Sequence, residues 1–258
     1  MKSSITLRHQ FILEELGKNG IVHVQNLADR LGVTGATIRR DLRILEKKKV
    51  LQRGFGNAVP TKVKATDLPL NEKYSIRTFE KSRIGRLAAT LVEENDSLMV
   101  TSGSTIEAFV RYFEPVQGGQ RHTVVTPSIH LAAMLMKKPH ARVRVLGGVI
   151  SNDSLSVRGI EAIEALRHIH CDKLFLSCDG LDLRAGVTSA YMEEAQLTTA
   201  MMAAATTVIL LADSSKIGKV GLGKTCDAGD IDILVTDEGI SSHIKETLEL
   251  QGVRVIIA

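Results

Sequence analysis

The chain has 258 residues, 44% of them hydrophobic, and 33 Lys and Arg against 29 Asp and Glu give a formal charge of +4. That length holds one or two domains with a sizeable core and excludes a disulfide-stapled scaffold; the three cysteines, Cys171, Cys178 and Cys226, have no pairing or metal-type spacing and fit a reduced, intracellular protein. No apolar run reaches the roughly 18 residues of a membrane helix, none follows Met1-Lys2-Ser3-Ser4, and aromatic residues make up only 3%, so the protein is expected in the cytoplasm, away from membranes and without an aromatic platform for single strands.

The positive excess sits at one end. Residues 1–58 hold 11 Lys and Arg against 5 Asp and Glu, net +6, which leaves the remainder at net −2. Leu7, Phe11, Ile12, Leu13 and Leu16 recur at helical spacing and predict a first helix that ends at Gly17 and the Asn19-Gly20 breaker. Val24, Leu27, Ala28 and Leu31 predict a second, closed by Gly32. Thr34 then offers an N-cap to a third, with Ile38, Leu42 and Leu45 on one face. Two short helices joined by Gly32-Val33 form a helix-turn-helix pattern.

The outer face of the third helix carries Thr37, Arg39, Arg40 and Arg43, with Lys47 to Lys49 beyond. A major groove admits one helix, in which Arg bonds guanine edges and Thr or Lys holds phosphates; an ordinary solvated charged face gives the same pattern. Val50 to Arg53, turn residues 54–57 and Ala58-Val59 predict a small hairpin wing, with Arg53 placed to meet a neighbouring phosphate. The DNA-facing candidates are therefore Thr34, Thr37, Arg39, Arg40, Arg43, Lys47 and Arg53. Residues 59–79, with Pro60 and Pro69, lack periodicity and predict a linker.

From residue 80 to 258 the pattern alternates. Helices are expected over 81–94, 105–111, 128–136, 160–166, 193–205 and 242–251, and strands over 97–100, 123–125, 143–146, 173–177, 208–212, 233–235 and 253–257. Such alternation predicts an α/β domain with a mainly parallel sheet covered on both faces, and in such sheets ligands bind at the loops that follow the strands. One loop is Thr101-Ser102-Gly103-Ser104-Thr105, in which Gly permits close backbone approach while hydroxyls and helix N–H groups face an anion. Ser128, Gly147, Gly148, Asp179, Asp182 and Lys216 fall in the other loops of this kind.

Each of these residues also has a plainer reading. The Gly-Ser-Thr loop can be a simple turn and cap, Asp182 a turn cap and Lys216 a surface cation. The loop lacks the Gly-Lys-Ser/Thr ending of a nucleotide P-loop, no GxGxxG occurs, and neither cofactor nor metal is implied. His168 and His170 form too small a cluster for a metal. Two carboxylates in a cleft can serve as acid and base, but no arrangement here compels catalysis. Cys178 reads as a small strand-end residue.

Taken together, Arg8, Ile12 and Leu16 at four-residue steps, then Thr34-Gly35-Ala36-Thr37-Ile38-Arg39-Arg40-Asp41-Leu42, resemble the helix-turn-helix of DeoR-family bacterial transcription regulators. The resemblance continues through Ile84-Gly85, the Ser-Gly-Ser-Thr loop, Gly147-Gly148, Ser156 to Gly159, Asp179-Gly180-Leu181-Asp182 and Asp213-Ser214-Ser215-Lys216. It implies a winged helix-turn-helix domain followed by a domain of the sugar-phosphate isomerase and CoA-transferase kind, used as a sensor. It further implies a repressor of a sugar-utilisation operon that binds double-stranded operator DNA as a homodimer or homotetramer and responds to a sugar phosphate or related small anion. Ribose-5-phosphate isomerases have a Lys-Gly-Gly-Gly segment and a helical Glu for proton transfer; here the stretches are Gly186-Val187-Thr188-Ser189 and Thr198-Thr199-Ala200, so binding is favoured over turnover. An isomerase fused to a DNA-binding domain, and a C-terminal domain that only oligomerises, are the alternatives. The chain departs from the family's common residues at Thr101, Pro127, Ser151 and Tyr191, where Asp, Asn, Arg and Asn are usual.

Overall fold

A computed structural model of the chain describes residues 5–19, 22–48, 50–53, 56–60, 77–115, 122–152 and 154–258. Its contacts fall into two compact units, Met1–Arg77 and Thr78–Ala258. None of the described helices is long and apolar enough to cross a membrane.

In the first unit, helices α1 (Ile5–Asn19), α2 (Val24–Leu31) and α3 (Gly35–Lys47) bury the residues that recur at helical spacing. Ile12, Leu16, Leu27, Ala28, Ile38, Leu42 and Leu45 meet in one core with Leu51 and Ala58. Gly32 ends α2 in the left-handed region at φ +62°, which a side chain would strain, and Thr34 caps α3 by accepting the Thr37 N–H. Helix α1 runs through Gly17 and ends at Asn19, the first residue of the expected breaker. A glycine costs a helix only about 1 kcal/mol, which the buried Ile12 and Leu16 offset.

Strand β2 (Leu51–Arg53) pairs antiparallel with β3 (Asn57–Pro60), and the two-residue β1 (Val22–His23) joins the other edge of β3. The hairpin is thus the wing of a winged helix-turn-helix; its turn residues Gly54 and Phe55 lie outside the described residues. So do residues 61–76, most of the expected linker.

The second unit begins with α4 (Thr78–Ala89), then β4 (Leu98–Val100), α5 (Ser104–Tyr112), β5 (His122–Thr126), α6 (Ile129–Leu135) and β6 (Ala141–Val145). It continues through the hairpin of β7 (Val149–Ser151) and β8 (Ser156–Arg158), α7 (Ile160–Leu166), β9 (Cys171–Leu176), β10 (Gly180–Asp182), β11 (Gly186–Ser189) and α8 (Met192–Ala203). It closes with β12 (Ala205–Leu211), β13 (Gly223–Cys226), β14 (Ile233–Thr236), α9 (Ser242–Leu250) and β15 (Arg254–Ile257). Seven strands form one sheet in the order β15-β14-β12-β9-β4-β5-β6, and every pairing in it is parallel.

Strand periodicity sends alternate residues to opposite faces. Phe175, Ile209 and Leu211 pack with α4, α5 and α6, while Leu174, Leu176 and Leu210 pack with α7, α8 and α9. The expected helix over 81–94 instead spans Thr78–Ala89, because the chain turns away after it: the Asp96 carboxylate accepts the Glu93 N–H at 2.7 Å. The sequence pattern does not mark the hairpin β7–β8 or the antiparallel set β10-β11-β13.

Candidate functional site

In the first unit the inward and outward faces of α3 separate cleanly. Ile38, Asp41, Leu42 and Leu45 are buried, while Arg39, Arg40, Arg43 and Lys47 are exposed and make no hydrogen bond or ion pair among the described residues. Thr34 and Thr37 sit at the start of this face, their hydroxyls 3.0 Å apart. Asp41 faces inward: its carboxylate accepts Arg8 Nε at 2.8 Å and Nη2 at 3.1 Å, and lies 3.2 Å from His9 Nε2. That cluster bolts α3 to α1 and raises the Arg8 pKa above its ordinary value, mainly through the Asp41 hydrogen bonds. Arg53 of the wing donates its backbone N–H and Nε to Glu46 at 3.0 and 2.6 Å, which ties the wing to α3 and holds the Glu46 carboxyl below its usual range.

In the second unit the parallel sheet brings the loops after β4, β5, β6, β9, β12 and β14 to one edge. Gly103, at φ +132°, lets the β4 loop lie against Ser177, whose Oγ donates to Ser102 O at 2.7 Å and whose N–H donates to Thr101 Oγ1 at 3.2 Å. Ser104 and Thr105 then open α5. Ser128 is buried and caps α6 by accepting the Leu131 N–H at 3.3 Å. Gly147 is exposed; Gly148, at φ +139°, backs onto Arg158, whose carbonyl oxygen would stand 2.7 Å from an added Cβ.

Asp213 accepts the Ser215 N–H and so starts the short turn that carries Lys216. Lys216 Nζ stands 3.9 Å from Asp179 Oδ1, while Asp179 Oδ2 accepts the Ala190 N–H at 2.9 Å. Asp182 is engaged by its own turn. Its Oδ1 accepts the N–H groups of Ala185 and Arg184, both at 2.9 Å, which caps the β10–β11 turn and depresses the carboxyl below its normal pKa. It lines a cavity of about 230 Å3 with Leu181, Leu183, Ile217 and Ile244.

Two carboxylate partners were not singled out in the sequence. Asp237 accepts the Ser214 N–H and hydroxyl, each at 2.7 Å, and Glu194 accepts Arg158 Nη2 at 2.6 Å. Neither lies in a recognisable motif, so only the fold could reveal them. Cys178 has a thiol pushed up to about 12 by burial, and His170 Nε2 lies 2.9 Å from Thr206 Oγ1. The edge is therefore chemically a set of hydrogen-bond donors and cations, with its carboxylates engaged by backbone N–H groups, the Ser214 hydroxyl, Lys216 and Arg158.

Residues 77–238 match the family model described as the DeoR C terminal sensor domain, and residues 8–63 match the DeoR-like helix-turn-helix domain. The chain is 31% identical over 255 residues to a putative aga operon transcriptional repressor of Escherichia coli, covering 97% of this chain and 93% of that one. It is 32% identical over 248 residues to YulB, an uncharacterized HTH-type transcriptional regulator of Bacillus subtilis, covering 96% and 95%. A ribose 5 phosphate isomerase A from Neisseria gonorrhoeae overlaps 53% of this chain and 52% of its own at 17% identity and a TM-score of 0.38, a likeness too slight to bear on function.

Proposed function

Because the chain belongs to the DeoR family of transcriptional regulators, carrying both its helix-turn-helix and its sensor domain, we propose that residues 1–58 read operator DNA and residues 80–258 bind the effector, with 59–79 between them. The observation that carries the DNA reading is the outer face of α3, four exposed cations that make no hydrogen bond or ion pair among the described residues, opposite a buried face built on Ile38, Leu42 and Leu45. Arg39, Arg40 and Arg43 enter the major groove, Thr34, Thr37 and Lys47 hold flanking phosphates, and Arg53 joins them from the wing.

The effector is a sugar phosphate or related small anion, held by Ser102, Gly103, Ser104, Thr105, Ser128, Gly147, Gly148, Asp179 and Lys216, with Asp182 bracing the adjoining turn. It must bind the DNA-competent and DNA-incompetent states unequally, because equal affinity shifts no equilibrium. The protein acts as a homodimer or homotetramer in the cytoplasm and represses a sugar-utilisation operon, in keeping with the relative named for the aga operon. Binding without turnover fits a site whose Asp179 and Asp182 serve backbone N–H groups.

A gel shift on the DNA upstream of the protein's own gene tests this reading. A complex that is lost in the Arg39→Ala, Arg40→Ala double variant and weakened by a sugar phosphate supports it. An undiminished complex with the double variant overturns the role given to α3.

A further inference from the structure

Two cations at the carboxyl edge of the seven-stranded sheet are mostly buried and short of partners. Lys216 has a side chain only 14% exposed, and its ammonium makes no hydrogen bond among the described residues; its ion-pair oxygen, Asp179 Oδ1, is 3.9 Å away. Arg158 is 17% exposed, gives Nη2 to Glu194 at 2.6 Å and lies 4.4 Å over the Tyr191 ring, while its Nε is buried with no acceptor among the described residues. A guanidinium has five N–H donors, and an unmet donor in the interior is costly. Both groups therefore keep donor capacity beyond what Asp179 and Glu194 take up.

The two cations come from opposite sides of the row of loops. Arg158 ends β8, which hangs on the loop after β5: the Val157 N–H donates to Pro127 O at 2.8 Å, and Ser156 bridges Ser128. Lys216 follows β12. In the sheet, β9 and β4 lie between β12 and β5, so the Ser102–Thr105 loop falls between the two cations. Three strand spacings of about 4.8 Å put these flanks about 14 Å apart at the backbone, a gap that a small polyol with a charged group at each end can bridge when it is met by two long side chains. Tyr191 holds Arg158 face-on, and its neighbour Ala190 is held by Asp179, the ion-pair partner of Lys216. The two cations are thus positioned through one connected set of contacts.

Resting on the effector reading above, we propose that Arg158 is a second anion-recognition group of the same site. The effector is then a small polyol with an anionic group at each end, a sugar bisphosphate or a phosphorylated sugar acid, rather than a sugar bearing one phosphate. A planar guanidinium suits the second phosphate or carboxylate, as a point-charge ammonium suits the first.

Calorimetric titration of the full chain with two matched pairs tests this: fructose 6-phosphate against fructose 1,6-bisphosphate, and glucose 6-phosphate against 6-phosphogluconate. The doubly anionic member binds tighter by about tenfold or more. Arg158→Gln removes that preference, lowering affinity for the doubly anionic member of each pair far more than for the singly phosphorylated one, whereas Ser104→Ala with Lys216→Ala weakens all the compounds. Glu194→Gln, which frees Nη2 without removing the cation, keeps or sharpens the preference and serves if Arg158→Gln does not fold. Equal affinity within both pairs, a preference that survives in Arg158→Gln, or a preference lost in Glu194→Gln overturns the proposal. If none of the compounds binds, the sugar-phosphate reading itself falls, and the proposal with it.

Discussion

Arg8 on α1 grips the carboxylate of Asp41 on α3 through two of its nitrogens, and the Asp41 side chain is only 2% exposed. One of the two acidic residues of this helix thus faces away from the cations and fixes the angle at which they are presented. Asp41→Ala should destabilise the first unit by about 2–3 kcal/mol, the scale of hydrogen bonds to a charged group. Faster amide hydrogen exchange throughout α1 and α3, together with weakened DNA binding, checks this; unchanged exchange would sink it.

The exposed cations of α3 predict a salt dependence. Each phosphate contact releases condensed counterions, so the slope of log affinity against log salt measures their number. Lys47→Ala should reduce the magnitude of that slope by about 1 and weaken all DNA sequences alike. Arg39→Ala should instead relax preference at particular base pairs. Fluorescence anisotropy over a salt series with matched and scrambled operators separates the two effects.

Gly85 of α4 touches the backbone of α5 so closely that an added Cβ would stand 2.5 Å from the Ala108 carbonyl carbon and 2.6 Å from the Phe109 nitrogen. No flexible side chain is there to yield. Phe109 is itself stacked on Phe175 of β9 at 4.2 Å between ring centroids, so a displaced α5 disturbs the sheet. Gly85→Ala should therefore lower stability by about 1–3 kcal/mol, the usual cost of overpacking, despite alanine's better helix propensity. A rise in Tm would refute the close-contact explanation.

Asp182 makes one component of stability depend on pH. Its folded carboxyl is depressed, first by the Ala185 N–H and then by the Arg184 N–H. A depressed carboxylate contributes stability above its unfolded pKa of about 3.9, and that contribution is lost as pH falls through the lower folded value. The Tm difference between the native chain and Asp182→Ala should accordingly be full at pH 6 and shrink below about pH 4. A difference that stays constant with pH would show that the charge on this carboxyl is immaterial.

Burial pushes the Cys178 thiol up to about 12, so almost none of it is thiolate, the reactive form. Iodoacetamide at pH 8 should leave Cys178 unlabelled in the folded protein and modify it after denaturation, as read by mass spectrometry of the peptide. Rapid labelling in the native state would contradict this.

The chain's local pattern suffices for two features. Apolar residues at helical spacing identify α1, α2 and α3, and short apolar runs locate all seven strands of the parallel sheet, because each signal is written in neighbouring residues and a doubly covered sheet demands apolar runs. The β10-β11-β13 set escapes such reading: Gly180-Leu181-Asp182 and Gly186 to Ser189 become strands through partners that the sequence does not mark. The roles of the charged residues divide in the same way. Sequence marks Arg53 as part of a hairpin and Asp182 and Lys216 as polar residues following strands, but only the tertiary structure ties Arg53 to Glu46, turns Asp182 to its own hairpin and leaves Lys216 and Arg158 largely buried with donors to spare. A charge's effect depends on its burial and on what lies within a few ångströms, and pairs such as Arg8 with Asp41 or Arg158 with Glu194 are brought that close only by folding.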